Sequence, residues 1–194
     1  MRQLMRREYG DSLLTLLAIL FVFTIFLFAP LQALGIFAVH AFAMLALLAI
    51  IGSMLIISDH PAALVIMSVA LVANVSVFFI RLVYEWPYNL HLLAGAWFAI
   101  SITLGAVVAE AVFRRGKVNH HRVIGAILLY LLIAIMFGTL FIFVGLSLPD
   151  AFKGITFADD HGLASAVFYL SFVTLTSTGY GDIVPVHPIL SQHS

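Results

Sequence analysis

Five long apolar runs constrain the fold more than any other feature of the sequence, because each is free of Asp, Glu, Lys and Arg. Crossing the hydrocarbon core of a bilayer takes about 20 apolar residues, and each run has close to that length or more. The runs are Ser12–Phe28, Leu31–Ile57, Ala62–Ile80, Leu90–Ala109 and Val123–Leu148. Lipid offers no hydrogen-bond partner to backbone amides, so we predict that all five form transmembrane helices.

The composition excludes several classes of protein. Hydrophobic residues make up 63% of the chain and charged residues 9%, whereas soluble domains have about 45–50% and about 25%. The cationic and anionic residues balance, which leaves no basic surplus for nucleic acid, and the chain has no Cys. The usual catalytic and nucleotide-binding motifs are also absent from the sequence. We therefore predict a membrane protein that is not an enzyme and needs no cofactor.

The distribution of Lys and Arg predicts the orientation. With the N-terminus inside, seven of these residues fall on the cytoplasmic side and two on the outer side. The cytoplasmic ones are Arg2, Arg6, Arg7, Arg114, Arg115, Lys117 and Arg122; the outer ones are Arg81 and Lys153. The first run has an alternative reading as a signal peptide, although it exceeds the usual core of about 7–15 residues. We expect a multi-pass protein of the cell membrane.

A sixth apolar segment, Leu163–Leu175, is too short to span. Its 13 residues make a helix of about 20 Å, which is typical of a re-entrant helix that enters and leaves on one side. The segment is followed by Thr176, Ser177, Thr178, Gly179, Tyr180, Gly181 and Asp182. Two Gly residues separated by one residue favour an extended backbone with torsion angles that other residues avoid.

The residues from Thr176 to Asp182 resemble the selectivity filter of potassium channels, whose usual form is Thr-Thr-Val-Gly-Tyr-Gly-Asp. The five shared positions would coincide by chance in about one chain of this size in ten thousand. The order of a spanning helix, a short re-entrant helix and the motif on the outer side also matches the family's pore domain. Upstream, the four other helices resemble bacterial six-helix channels without a regular voltage sensor.

The resemblance implies a function and a set of ion ligands. Backbone carbonyls of Ser177, Thr178, Gly179 and Tyr180 would replace the water shell of K+, and the Ser177 hydroxyl would add the innermost oxygens. K+ is then the permeant ion, and three further copies of the chain complete the ring around it. The Tyr180 ring would brace the loop, and the short helix would aim orphan carbonyls and its negative dipole end at the cavity.

The implied architecture is an all-α membrane protein with five transmembrane helices plus a re-entrant pore helix and selectivity-filter loop. Residues 1–113 form a four-helix region, 114–122 a basic cytoplasmic loop and 123–194 the pore domain. Only 12 residues follow Asp182, and they include two prolines. We expect the reading frame to continue with the inner pore helix of about 20 apolar residues that the family requires.

The sequence departs from the family pattern at several positions. Ser177 replaces the usual Thr and Thr178 the usual Val, Val173 stands where some relatives have Glu, and Tyr169 and Leu170 replace an aromatic pair. Two other functions therefore remain open. One is a cation channel of weaker selectivity, and the other is a non-conducting membrane scaffold or regulatory subunit.

Several polar residues outside the motif have a structural and a functional interpretation. They are His40, Asn74, Ser76, Glu110, Arg114, His120, His121 and Arg122. His40 in the second run is either a proton or ligand site or a neutral interhelical partner, and the second is favoured. Asn74 and Ser76 suit hydrogen bonds to a neighbouring helix. Glu110 and Arg114 suit a local ion pair, and the His pair beside Arg122 suits a solvated basic loop in preference to a pH sensor or a lipid contact.

The orientation can be tested by labelling, because the chain has no Cys of its own. We expect Asp159→Cys to react with an impermeant maleimide on intact cells and Lys117→Cys to react only after permeabilisation. Labelling at Lys117→Cys but not at Asp159→Cys would invert the topology.

Overall fold

The computed structural model describes residues 19–20, 22, 61–83, 88–113, 120–148, 150–158 and 162–186. Within these ranges the chain is mostly helical. The elements are α1 (Pro61–Val83), α2 (Asn89–Phe113), α3 (His120–Ser147), β1 (Phe152–Lys153), α4 (Leu163–Leu175) and β2 (Val184–Pro185). The predicted spans Ser12–Phe28 and Leu31–Ile57 lie outside the described residues, except that residues 19, 20 and 22 are helical.

The helices follow the apolar runs and extend beyond them. The bounds of α4 are those predicted, whereas α2 continues past Ala109 to Phe113 and α3 begins at His120. The basic loop predicted for residues 114–122 is therefore shorter, since residues 120–122 form the first turn of α3. Polar side chains at a helix end reach water without disturbing the backbone hydrogen bonds, so a charge does not stop a helix.

Two of the described helices are long and apolar enough to cross a membrane, namely Asn89–Glu110 within α2 and His120–Ser147. The apolar parts of α1 and α4, Pro61–Val77 and Leu163–Leu175, are shorter. Large apolar side chains are exposed along one face of α1, including Val65, Val69, Val72 and Phe79. Such a face fits contact with lipid or with other helices better than contact with water.

Helices that are consecutive along the chain pack together: α1 against α2, α2 against α3, and α3 against α4. Their shared core is aliphatic, and its most buried members are Met67, Ile100, Leu104, Leu128 and Leu132. Asn74 is buried in α1, but its Nδ2 atom has no hydrogen-bond partner among the described residues. The interhelical hydrogen bond expected of Asn74 is therefore not formed within this part of the chain.

The short helix α4 is held against α3 by a close approach at Gly138. A Cβ atom at Gly138 would lie 3.2 Å from Val167 Cγ1, and the neighbouring Ser171 is fully buried. The Ser171 hydroxyl donates to Phe168 O at 2.8 Å, so it adds no unpaired polar group to the contact. Glycine at 138 thus sets the distance between α3 and α4.

A small antiparallel ribbon closes the loop between α3 and α4. Phe152 pairs with Pro185 and Lys153 with Val184, and Val186 N donates to Ala151 O at 2.9 Å. The sequence does not predict a strand here, because two-residue strands are too short to produce an alternating pattern. The ribbon ties the loop to the chain just after Asp182.

We expect Gly138→Leu to lower stability by about 1–3 kcal/mol, because the added side chain would overpack the contact with Val167. The matched control is Gly105→Leu in α2, where a Cβ atom has only Leu129 Cδ1 nearby, at 3.9 Å. Thermal unfolding midpoints in mild detergent measure both. Equal midpoints for the two variants would show that Gly138 does not set the α3–α4 distance.

Candidate functional site

The segment from Thr176 to Asp182 begins at a capped helix end. Ser177 N donates to Thr174 O and Thr178 N to Val173 O, both at 3.0 Å, with Thr176 as the C-cap residue of α4. This pair of bonds is a Schellman motif, which requires a left-handed residue after the cap. Ser177 occupies that position with φ of 55°.

The cap corrects one expectation. The last carbonyls of α4 were expected to be orphans facing the cavity, but Phe172 O, Val173 O and Thr174 O all accept hydrogen bonds from the next few residues. Phe172 O also accepts from Thr176 Oγ1 at 2.7 Å. The negative end of the helix dipole still favours a cation at this end.

Positive φ angles recur at every second residue of the segment. They are 55° at Ser177, 54° at Gly179 and 79° at Gly181, whereas Thr178 and Tyr180 do not have positive φ. This alternation in the sign of φ differs from the torsion angles of a helix or a strand, in which successive residues share similar negative values. The segment therefore has an irregular backbone that repeats with a period of two residues.

The sequence identifies the two glycines of this pattern but not Ser177. A non-Gly residue in such a conformation costs on the order of 1–3 kcal/mol. The sequence feature that could identify Ser177 as a left-handed residue is its spacing. Ser177 precedes Gly179 by two residues, as Gly179 precedes Gly181. Glycine is needed at both positions because of the positive φ angle and not because of a close contact. A Cβ atom on Gly179 or Gly181 would meet nothing within 4 Å.

The aromatic ring of Tyr180 contacts α4 through Tyr169. The two ring planes are 4° apart with centroids at 6.3 Å, which is an offset stack. The ring that was expected to brace the loop thus contacts the short helix through its face. Even so, Tyr180 is 70% exposed, so the stack covers only part of it.

Tyr169 also binds the acidic end of the segment. Its hydroxyl donates a hydrogen bond to the Asp182 carboxylate, which lowers the pKa of Asp182 below the usual value of Asp. The same bond is the main cause that raises the pKa of Tyr169 to about 12. Tyr169 therefore interacts with both Tyr180 and Asp182.

The loop after α3 supports the segment from its other side. Gly154 has φ of 93°, and a Cβ atom there would collide with the backbone carbonyl of Asp182. Glycine is required at 154 for both reasons. The sequence alone does not identify Gly154 as important, because a lone Gly in a loop does not show which backbone it approaches.

The hydroxyl groups near the start of the segment are also engaged. Thr176 and Thr178 share a hydrogen bond between their Oγ1 atoms at 2.7 Å. Thr178, which stands where the family has Val, is thereby fixed to the helix end. Ser177 and the rest of the segment through Asp182 are exposed in the single chain, so the proposed ligand atoms are accessible to an ion or to other chains.

The other polar residues lie away from this segment. His120 and His121 lie in the first turn of α3, where their rings are tilted by 44° with centroids 4.1 Å apart. His40 and Arg114 lie outside the described residues. Of the eight polar residues named outside the motif, none of those that the structure describes contacts the segment from Thr176 to Asp182.

Comparison with known proteins gives no match, whether with protein families, with characterised proteins or with solved structures. The motif and its geometry are therefore the features from which a function can be inferred.

We expect Tyr169→Phe to raise the pKa of Asp182 toward its usual value, because the carboxylate loses the donor that stabilises its charged form. A carboxyl group whose pKa is lowered in the folded state stabilises the fold at pH values above the usual pKa of Asp. In wild type, this stabilisation by Asp182 is lost as the pH falls through its lowered pKa. In the variant the carboxylate should protonate at higher pH. Carbon NMR of labelled Asp in nanodiscs measures the titration, with Tyr130→Phe as the control. An unchanged Asp182 titration would show that the Tyr169 hydroxyl does not bind it.

Proposed function

We propose that this chain is a subunit of a potassium-selective ion channel similar to the potassium-channel pore-loop family. The observation that carries the proposal is the recurrence of positive φ at Ser177, Gly179 and Gly181 directly after a short capped helix. Combined with the Thr-Ser-Thr-Gly-Tyr-Gly-Asp sequence, it supports a filter in which backbone carbonyls bind K+.

The chemistry of permeation follows from the ligands. A K+ ion leaves water without a large barrier only when oxygens replace its hydration shell at similar cost. Carbonyls of Ser177, Thr178, Gly179 and Tyr180 are the candidate ligands, with the Ser177 hydroxyl at the inner end. One strand cannot surround an ion, so the proposal requires four copies around a closed symmetry axis.

The proposed arrangement in the cell membrane has five transmembrane helices, of which α1, α2 and α3 would be the last three, and a cytoplasmic N-terminus. Support comes from the apolar runs, from the lengths of α2 and α3 and from the seven cationic residues on the inner side. The helix α4 would be re-entrant, since its length of about 20 Å is less than the hydrocarbon thickness.

A channel of weaker cation selectivity is the second candidate. Ser177 and Thr178 replace the usual Thr and Val, and Ser177 lacks the methyl group with which a Thr would pack at the innermost ligand position. The non-conducting scaffold or regulatory subunit is the third. Ion flux separates the three, because only the first predicts permeability to K+ far above Na+.

We expect Gly179→Ala to abolish K+ selectivity or flux, because Ala in a left-handed conformation costs about 1–2 kcal/mol in each subunit. The measurement uses the protein expressed from its full reading frame in liposomes, with K+ and Na+ gradients in parallel. Gly105→Ala is the control, since its Cβ atom meets ordinary contact distances. Unchanged K+ over Na+ permeability in Gly179→Ala would remove the filter assignment, and no flux from wild type would favour the non-conducting subunit.

A further inference from the structure

Two threonine hydroxyls at the end of α4 form a short chain of hydrogen bonds, and the position of each proton can be derived. Thr176 Oγ1 lies 2.7 Å from Phe172 O and 3.4 Å from Val173 O. A carbonyl oxygen can only accept, and 2.7 Å is a usual distance for a hydroxyl donor whereas 3.4 Å is too long. The single hydroxyl proton of Thr176 is therefore directed to Phe172 O.

The proton of Thr178 follows from that of Thr176. Their Oγ1 atoms are 2.7 Å apart, so one of the two hydroxyls donates to the other. Because the proton of Thr176 is directed to Phe172 O, Thr178 is the donor and Thr176 the acceptor. A directed chain of hydrogen bonds thus runs from the Thr178 hydroxyl through Thr176 to the last turn of α4. Valine, the usual residue of the resembled family at this position, has no hydroxyl and cannot form it.

This chain restrains a part of the segment that backbone hydrogen bonds do not. Thr178 N donates to Val173 O, and because the peptide unit is trans, the Ser177 carbonyl points away from the end of α4. The next peptide unit joins the Thr178 carbonyl to Gly179 N, which makes no backbone hydrogen bond among the described residues. The Cα atom of Thr178 lies between these two units, and the hydroxyl of the same residue is bonded to the helix end through Thr176.

We propose that the Thr178 hydroxyl is a positioning group for ion selectivity, which keeps the carbonyls of Ser177 and Thr178 at the spacing that K+ requires. This role rests on the proposed function and on its four copies. Both Thr176 and Thr178 are exposed in the single chain, where water competes with their hydrogen bond. Four chains around an axis exclude that water, and the same bond is stronger in a drier site. A restrained carbonyl then resists the shift toward a smaller ion such as Na+.

Two substitutions at residue 178 separate the effect of the hydroxyl from that of side-chain shape. Thr178→Val keeps the branched shape and removes the hydroxyl, whereas Thr178→Ser keeps the hydroxyl and removes the methyl group. In Thr178→Val, Thr176 keeps its own bond to Phe172 O, so the variant gains no unpaired donor and should fold. The outside control is Thr174→Val, because the Thr174 hydroxyl donates to Leu170 O within α4 and not to the segment.

The first measurement is the K+ over Na+ permeability ratio in liposomes, with the protein expressed from its full reading frame. We expect Thr178→Val to lower this ratio about fivefold, which is the effect of one hydrogen bond on an equilibrium. Thr178→Ser should recover most of the loss, since it keeps the donor. Thr174→Val should leave the ratio unchanged.

The second measurement does not require conduction. Hydrogen exchange in nanodiscs gives the protection factor of the amide at residue 178, corrected for the intrinsic exchange rate of each side chain. We expect this protection factor to fall about fivefold in Thr178→Val, because the residue loses one of its two bonds to the helix end. Thr178→Ser should lose less, and Thr174→Val should match wild type.

The outcomes separate a failure of this role from a failure of the proposed function. If wild type conducts K+ and Thr178→Val has an unchanged permeability ratio, the positioning role is wrong and the proposed function stands. An unchanged protection factor in Thr178→Val would also overturn the role, and equal losses in Thr178→Val and Thr178→Ser would assign the effect to shape. No K+ flux from wild type would remove the proposed function, and the positioning role with it.

Discussion

The cap at the C-terminal end of α4 is the interaction on which the candidate filter depends. The bond from Thr178 N to Val173 O can form only if the chain reverses at Ser177, and that reversal sets φ of 55° at this residue. The two following left-handed positions fall on Gly179 and Gly181, which adopt such angles without steric cost. The conformation of the segment is thus set by the way the helix ends, and the glycines allow the same alternation to continue. A helix ending one residue earlier or later would place left-handed torsion angles on Thr178 and Tyr180, which resist them.

The position of α4 depends in turn on three glycines that allow close contacts. Gly138 lets α4 approach α3, Gly145 accommodates the ring of Phe157 against α3, and Gly154 lets the loop meet the backbone of Asp182. At the same end, Leu163 and Val167 of α4 pack with Leu90 at the start of α2. The helix α4 is therefore held along its side and at its first residues. The loop also holds Asp182, the last residue of the segment that follows α4. A rigid base of this kind is what a backbone site needs, because its ligand positions cannot be adjusted by side-chain rotation.

The sequence predicts elements that repeat a pattern and misses contacts that occur once. The described helices α1 to α4 can be predicted from the uncharged apolar runs. An apolar segment away from water forms a helix to satisfy its backbone hydrogen bonds, whichever helices pack beside it. The left-handed positions at Gly179 and Gly181 follow from residue type. The strand pair at Phe152–Lys153 and Val184–Pro185 is too short to leave a periodic signal. The double contact of Tyr169 with Tyr180 and Asp182 depends on how the chain turns back beside α4, and nothing in the local sequence around Tyr169 encodes that turn. The observed bounds of α2 and α3 differ from those of the predicted apolar runs for a related reason. A helix continues past its apolar residues until a turn becomes more favourable than a further helical residue.

Within a single chain, Ser177 has a left-handed conformation that the cap of α4 stabilises only in part, and Tyr180 is 70% exposed although its ring stacks on Tyr169. Both features are understandable if the segment contacts other copies of the chain. In the proposed tetramer, the exposed face of Tyr180 would be buried against a neighbouring subunit and the carbonyls of the segment would surround an ion. The free energy gained by that assembly would then offset the cost of the left-handed conformation at Ser177.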